Sequence, residues 1–142
     1  MSCRVAVLGA GSWGTALAMQ LARVGHQVQL WARDAGHVAE MREDRCNRRY
    51  LPDAPFAESI EPCHDLAAAI SSADRVLIAV PSAAFASMLD QVGDAVDLAH
   101  GIAWATKGFE PGTGRLLSET ARDRLGERIP LACVTGPSFA GE

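Results

Sequence analysis

Lysine is nearly missing from this chain. Of 13 Lys and Arg residues, twelve are Arg and only Lys107 is lysine. Tyrosine is as scarce, with Tyr50 alone. Positive charge is also short. The 17 Asp and Glu outnumber the cations, the net charge is −4, and a nucleic-acid surface is not expected. The one basic cluster, residues 42–49, is interrupted by Glu43 and Asp44 and reads as a solvated helix end. No apolar run is long enough to span a bilayer, and the N-terminus lacks the basic-then-apolar pattern of a signal peptide. No two of the cysteines Cys3, Cys46, Cys63 and Cys133 are spaced as CxxC. Free thiols in a reducing cytoplasm are therefore expected, with Cys3 and Cys133 as small core residues of strands. The histidines form no metal-ligand spacing, so no metal is expected. No repeat, low-complexity tract or linker divides the 142 residues, which points to one domain over 1–142.

Glycine, by contrast, is placed with purpose. The stretch Val5-Ala-Val-Leu-Gly-Ala-Gly-Ser-Trp-Gly-Thr-Ala-Leu-Ala18 is an apolar strand, then Gly9-x-Gly11-x-x-Gly14, then the start of a helix. Gly9 permits a tight turn, Gly11 lets a pyrophosphate approach the backbone, and Gly14 lets the helix pack on the strand. The helix N-terminus then offers unpaired N–H groups and a partial positive charge. The strand before and helix after are the context that makes this a dinucleotide fingerprint and not a bare glycine turn.

The rest of the chain alternates strand-like and helix-like segments. Strands are expected over 4–8, 27–31, 75–80, 101–105 and 131–134, with a short one at best over 60–62. Helices are expected over 13–24, from an Asp34 cap to about 44, over 66–70 behind an Asp65 cap, over 83–92 behind Ser82, and over 115–125. Residues 46–55, with two prolines, read as a loop. Such alternation implies an α/β fold: a doubly wound, mostly parallel sheet of Rossmann type with helices on both faces.

Ligands of such sheets lie beyond the carboxyl ends of the strands. There the sequence places Ser12 and Trp13, then Arg33 and Asp34, Pro81-Ser82, Thr106-Lys107-Gly108, and Thr135-Gly136-Pro137-Ser138. Small, hydroxyl and cationic residues of this kind suit a phosphorylated ligand. Lys107 carries a compact ammonium in a chain that otherwise uses Arg, and its strand-end position points to function. Asp34 falls about 20 positions past the glycines, where a carboxylate reads the ribose 2′-OH of NAD. Its other role is a plain helix cap. Arg33 beside it can take a 2′-phosphate, so NADP is favoured with NAD tolerated. Trp13 either shields the cofactor or packs on a neighbouring loop. Tyr50 either closes over the cofactor or anchors its loop.

Five motifs occur in order: Gly9-Ala-Gly-Ser-Trp-Gly-Thr-Ala-Leu-Ala18, Trp31-x-Arg33, Asn47-x-x-Tyr50-Leu-Pro52, Ala105-Thr-Lys-Gly108 and Gly136-Pro-Ser-Phe-Ala140. Together they resemble the N-terminal domain of bacterial NAD(P)-dependent glycerol-3-phosphate dehydrogenases, over essentially the whole chain. The resemblance implies an oxidoreductase that interconverts sn-glycerol 3-phosphate and dihydroxyacetone phosphate by hydride transfer with NADP or NAD, in glycerophospholipid synthesis. It implies cofactor contacts at Gly9, Gly11, Ser12, Trp13, Gly14, Arg33, Tyr50, Lys107 and Ala140, and contacts to a small phosphorylated substrate at Lys107, Gly136 and Ser138. The family's general-base lysine belongs to a second, helical domain. No catalytic residue is expected within these 142 residues, which would end before that domain and turn over little or no substrate alone. A cytoplasmic location is implied, without a membrane span, and a homodimer of the complete enzyme is compatible. The competing readings are another NAD(P)-dependent hydroxyacid or ketoacid reductase, and a non-catalytic NAD(P)-sensing module.

Overall fold

Alternation in the opening strand decides the layering. Val5 and Val7 join one buried cluster while Ala6 and Leu8 join another on the opposite face. A strand buried on both sides must be covered by helices on both sides. The computed structural model, which describes residues 2–97 and 100–135, shows that arrangement.

The elements run β1 (Arg4–Leu8), α1 (Ser12–Arg23), β2 (Gln27–Trp31), α2 (Ala35–Asp44), β3 (Cys46–Asn47), β4 (Leu51–Pro55), β5 (Ile60–Cys63), α3 (Leu66–Ser71), β6 (Arg75–Ile78), α4 (Ser82–Val92), β7 (Ile102–Trp104), α5 (Leu117–Leu125) and β8 (Leu131–Cys133). Six strands form one sheet in the order β5-β2-β1-β6-β7-β8, every neighbouring pair parallel. The chain moves outward from β1 to one edge, returns across it, and moves outward again. That reversal between β1 and β6 is the topological switch point at which such sheets form a crevice.

Ala18 of α1 and Val38 and Met41 of α2 close the cluster that contains Val5, Val7, Val28 and Leu30. Phe85, Met88 and Leu89 of α4, Ile70 of α3 and Leu117 of α5 close the other, and Phe85 meets Trp104 edge-on at 5.7 Å.

Several expectations need correction. Residues 46–55 are not a plain loop: β3 and β4 pair as a small antiparallel sheet with a break in register. Pro52 and Pro55 are tolerated because this is an isolated two-stranded edge. The short strand near residue 60 is a full four-residue edge strand, paired from Val28↔Ile60 to Trp31↔Cys63. Ser82 opens α4 instead of capping it; Pro81 precedes the helix, with no side-chain cap. Helix α5 begins at Leu117 and not at residue 115, because Phe109 and Leu116 bridge across the preceding loop.

The cysteine assignment also shifts. All four thiols are free, but the buried pair is Cys46 and Cys63. Cys3 precedes β1, half-buried against His26, and Cys133 is exposed on the edge strand β8. Burial pushes the Cys63 thiol up from its ordinary value.

Candidate functional site

The first turn of α1 is built to be left open. Its N-cap is Gly11, with no side-chain cap, and no acidic residue stands in the first turn. Helices α2 and α3 begin differently: Asp34 accepts from the His37 N–H and Asp65 from the Ala68 N–H. The leading N–H groups and positive dipole end of α1 are therefore not neutralised by the chain's own carboxylates.

Each glycine of the fingerprint answers a different geometric demand. Gly9 has φ +123°, and a Cβ there would lie 2.5 Å from the Ala79 carbonyl oxygen. A Cβ on Gly14 would collide with the Gly9 carbonyl oxygen, so the helix can approach the turn only without one. Gly11 has nothing within 4 Å of its virtual Cβ. The space beside it is open, so no side chain of the protein stands over the first turn at that point.

The strand ends around the turn are tied together. Trp13 is 50% exposed, and its indole Nε1 donates to the Ala105 carbonyl at 3.2 Å. It packs on the loop that carries Thr106, as one of its two readings has it, and half of its surface stays exposed. The Lys107 ammonium lies over that ring, 5.8 Å from its centroid. Thr106 donates from Oγ1 to the Val80 carbonyl at 2.7 Å, which fixes the end of β7 against the end of β6. Beside them is a cleft of about 390 Å³ lined by Trp13, Trp104, Thr106, Lys107, Ser118 and Thr135, among others.

At the β2 end, Asp34 is the helix cap. Its Oδ1 accepts from the His37 N–H at 3.1 Å, and its Oδ2 accepts from Arg49 at 3.2 Å. These bonds, the His37 N–H first and Arg49 next, hold its carboxyl below the usual value. Arg49 also grips Glu40 at 2.9 Å, which lowers that carboxyl, and the two carboxylates raise Arg49. Both oxygens of Asp34 are thus engaged within the chain. Arg33 is exposed and has no hydrogen-bond or ion-pair partner among the described residues.

Residues 42–49 are more than a solvated helix end. Arg42 bonds the Pro62 carbonyl, Arg45 those of Ala57 and Ile60, Arg48 pairs with Asp44, and Arg49 holds the Asp34 carboxylate. This segment leads to Tyr50, whose carbonyl accepts from Ser12 Oγ at 3.2 Å and whose ring is 52% exposed and 5.7 Å from His37. The structure therefore gathers Gly9, Gly11, Ser12, Trp13, Gly14 and Tyr50 around the turn, with Lys107 on one flank and Arg33 on the other. Gly136, Ser138 and Ala140 lie outside the described residues.

Sequence reading assigned no role to Asn47 or His37. Both are buried beneath the turn, with Asn47 fully enclosed. Asn47 was visible only as a loop residue of a motif, and nothing in its spacing marks it. Among the described residues, no cluster of His, Cys, Asp or Glu is placed to hold a metal ion, and no helix is long and apolar enough to cross a membrane.

Sheet order, an open glycine turn at the first strand and a cationic crevice define a Rossmann-type nucleotide domain. Residues 4–142 match the family described as NAD-dependent glycerol-3-phosphate dehydrogenase N-terminus, and the chain belongs to that family. A glycerol-3-phosphate dehydrogenase (NAD(P)+) of Aeromonas salmonicida is 51% identical over 97% of this chain and 41% of its own length. The crystal structure of glycerol-3-phosphate dehydrogenase from Coxiella burnetii superposes with TM-score 0.90 at 44% identity, covering 98% of this chain and 42% of that one. The yeast enzyme shares the fold at TM-score 0.83 and 23% identity, over 99% of this chain and 43% of its own. The chain thus spans about 41% of the length of the curated relatives it matches.

Proposed function

We propose that this chain forms the dinucleotide-binding part of an oxidoreductase that interconverts sn-glycerol 3-phosphate and dihydroxyacetone phosphate, supplying glycerophospholipid synthesis. The observation that carries this reading is the uncapped start of α1 behind Gly11, with open space where a side chain would stand. The N–H groups of that first turn bind the pyrophosphate. Arg33 and the β2 end take the adenosine side. Trp13 and Lys107 flank the nicotinamide side and open into the cleft at the ends of β7 and β8. The four free thiols support the cytoplasm as its compartment.

The nicotinamide, when bound, supplies the hydride for the substrate carbonyl carbon. The chain's own residues position and polarise. Lys107 places its ammonium where negative charge grows on the carbonyl oxygen, or where the phosphate group rests. Trp13 keeps water from one side of the reacting pair. Gly136 and Ser138 would complete the substrate side and Ala140 the cofactor side.

The engaged Asp34 and the unpaired Arg33 support NADPH over NADH. A 2′-phosphate gains a cation at Arg33, whereas the 2′-OH of NADH finds no free carboxylate. Titration of the chain with both cofactors tests this. Arg33→Ala is expected to weaken NADPH by about 1.5–3 kcal/mol, the scale of a charged hydrogen bond, and NADH by much less. Equal losses for the two would show that Arg33 does not read the 2′ position. A chain that binds neither cofactor would overturn the whole reading.

A further inference from the structure

We infer that Asn47 is a positioning residue for the pyrophosphate: its buried amide holds the glycine turn in the form that presents N–H groups outward. The inference rests on the dinucleotide reading above. Asn47 is fully buried and uses every polar atom it has. Its Nδ2 donates to the Ala10 carbonyl and to Thr15 Oγ1, each at 2.9 Å. Its Oδ1 lies 2.9 Å from His37 Nε2 and accepts from the Tyr50 N–H at 3.3 Å.

The pattern leaves one orientation of the amide. Two donated protons from Nδ2 and the Tyr50 N–H on Oδ1 fix which end is nitrogen. His37 Nε2 must then carry a hydrogen and donate it to Oδ1. A flipped amide would set its oxygen against the Ala10 carbonyl and its nitrogen against the Tyr50 N–H. Such a fully satisfied buried network has one geometry, because any alternative leaves several polar groups unpaired.

The consequence falls on the turn. Ala10 sits between Gly9 and Gly11, and its carbonyl oxygen carries the partial negative charge that would repel a phosphate. Asn47 draws that oxygen onto a buried donor. Thr15, on the first turns of α1, is fixed by the same nitrogen. The amide therefore sets the turn and the helix start relative to each other, while Tyr50 links them to Ser12 through its own carbonyl. No other residue type in this place offers two donors and an acceptor of this shape. Aspartate keeps the shape but lacks the donors, and it opposes Ala10 with a negative oxygen.

The test is titration of the 142-residue chain and its Asn47→Asp variant with NADPH, NADH and ADP-ribose. Binding is read at a temperature where circular dichroism shows each protein folded, so that lost stability alone does not change the affinity. Asn47→Asp is expected to weaken all three ligands by about ten-fold or more, in step, with the NADPH-to-NADH ratio kept. Wild-type affinity for ADP-ribose in the folded variant overturns the inference, and so does a loss confined to NADPH. Should Asn47→Asp not fold, His37→Leu removes one of the two donors that pin Oδ1. A smaller loss shared by the three ligands is expected, and unchanged ADP-ribose affinity in folded His37→Leu overturns the inference. A wild-type chain that binds none of the three ligands overturns the dinucleotide reading itself. Wild-type binding with insensitive variants overturns the role of Asn47 alone.

Discussion

At the scale of single residues, the three glycines of one motif separate into two kinds. Gly9 and Gly14 are needed by the fold, because a Cβ on either meets backbone oxygen. At Gly11 a Cβ meets nothing of the protein, so any demand for glycine there comes from the proposed diphosphate and not from the fold. The two roles predict opposite phenotypes for the same substitution. Gly14→Ala should cost several kcal/mol or fail to fold, since backbone cannot move aside as a flexible side chain can. Gly11→Ala should stay within about 1 kcal/mol of the parent, the cost of a poorer N-cap residue. It should nonetheless lose most of its dinucleotide affinity. Thermal unfolding together with an NADPH titration checks the pair. A folded Gly11→Ala chain that binds like the parent would show that the diphosphate does not approach this backbone. The spacing marks all three glycines, and the packing adds that Gly9 and Gly14 leave no room for a Cβ. Asn47 shows the opposite limit: its role depends on partners 37 and 32 residues away in sequence, and no local pattern encodes that.

At the scale of elements, α2 shows how a cap ties two segments together. Asp34 follows β2, caps α2 and binds Arg49 from the segment that follows the helix. The folded-state carboxyls of Asp34 and Glu40 lie below their ordinary values of 3.8 and 4.5. A lowered carboxyl stabilises the fold at pH above its unfolded value, and the contribution is lost as pH falls through the folded value. Arg49→Met should therefore unfold at a lower temperature than the parent near neutral pH. The gap should narrow as pH falls through the lowered folded-state values of the two carboxyls, where their charge and with it their hold on Arg49 is lost. Melting temperatures across that range check it, and a gap independent of pH would mean that Arg49 acts by packing and not by charge. The same region marks where element reading succeeds and fails. Strands β1 and β6 are legible because burial on both faces demands β-branched and aliphatic runs, and β2 because its residues alternate polar and apolar. The β3–β4 pair is not, because a two-residue strand opposite a proline-bearing one carries no periodicity. The start of α4 was misplaced because Ser82 is a good cap by residue type, while Pro81 before it already fixes the entry of the helix.

At the scale of the whole molecule, the sheet order gathers polar residues beyond the carboxyl ends of its strands. The cleft beyond β7 and β8 is lined by Trp13, Thr106, Lys107, Ser118, Cys133 and Thr135, among others, and among the described residues that line it Lys107 is the one cation and none is a carboxylate or a histidine. The histidines stand elsewhere: His26 against Cys3, His37 on Asn47, His64 near the Ala32 carbonyl and His100 on the Ile70 carbonyl. Reducing a ketone needs a hydride at carbon and a proton at oxygen. A phosphorylated substrate needs further cations to hold its dianion. Lys107 cannot both grip a phosphate and deliver the proton in one geometry, and general acid–base assistance is worth about 10²–10⁴ in rate. The 142-residue chain is therefore expected to bind NADPH and yet show no oxidation of it with dihydroxyacetone phosphate. Loss of NADPH absorbance in that mixture is the measurement. Turnover dependent on Lys107 would mean that the described cleft already holds a complete proton path. Binding without turnover would mean that the residues lining this cleft do not by themselves supply a complete proton path.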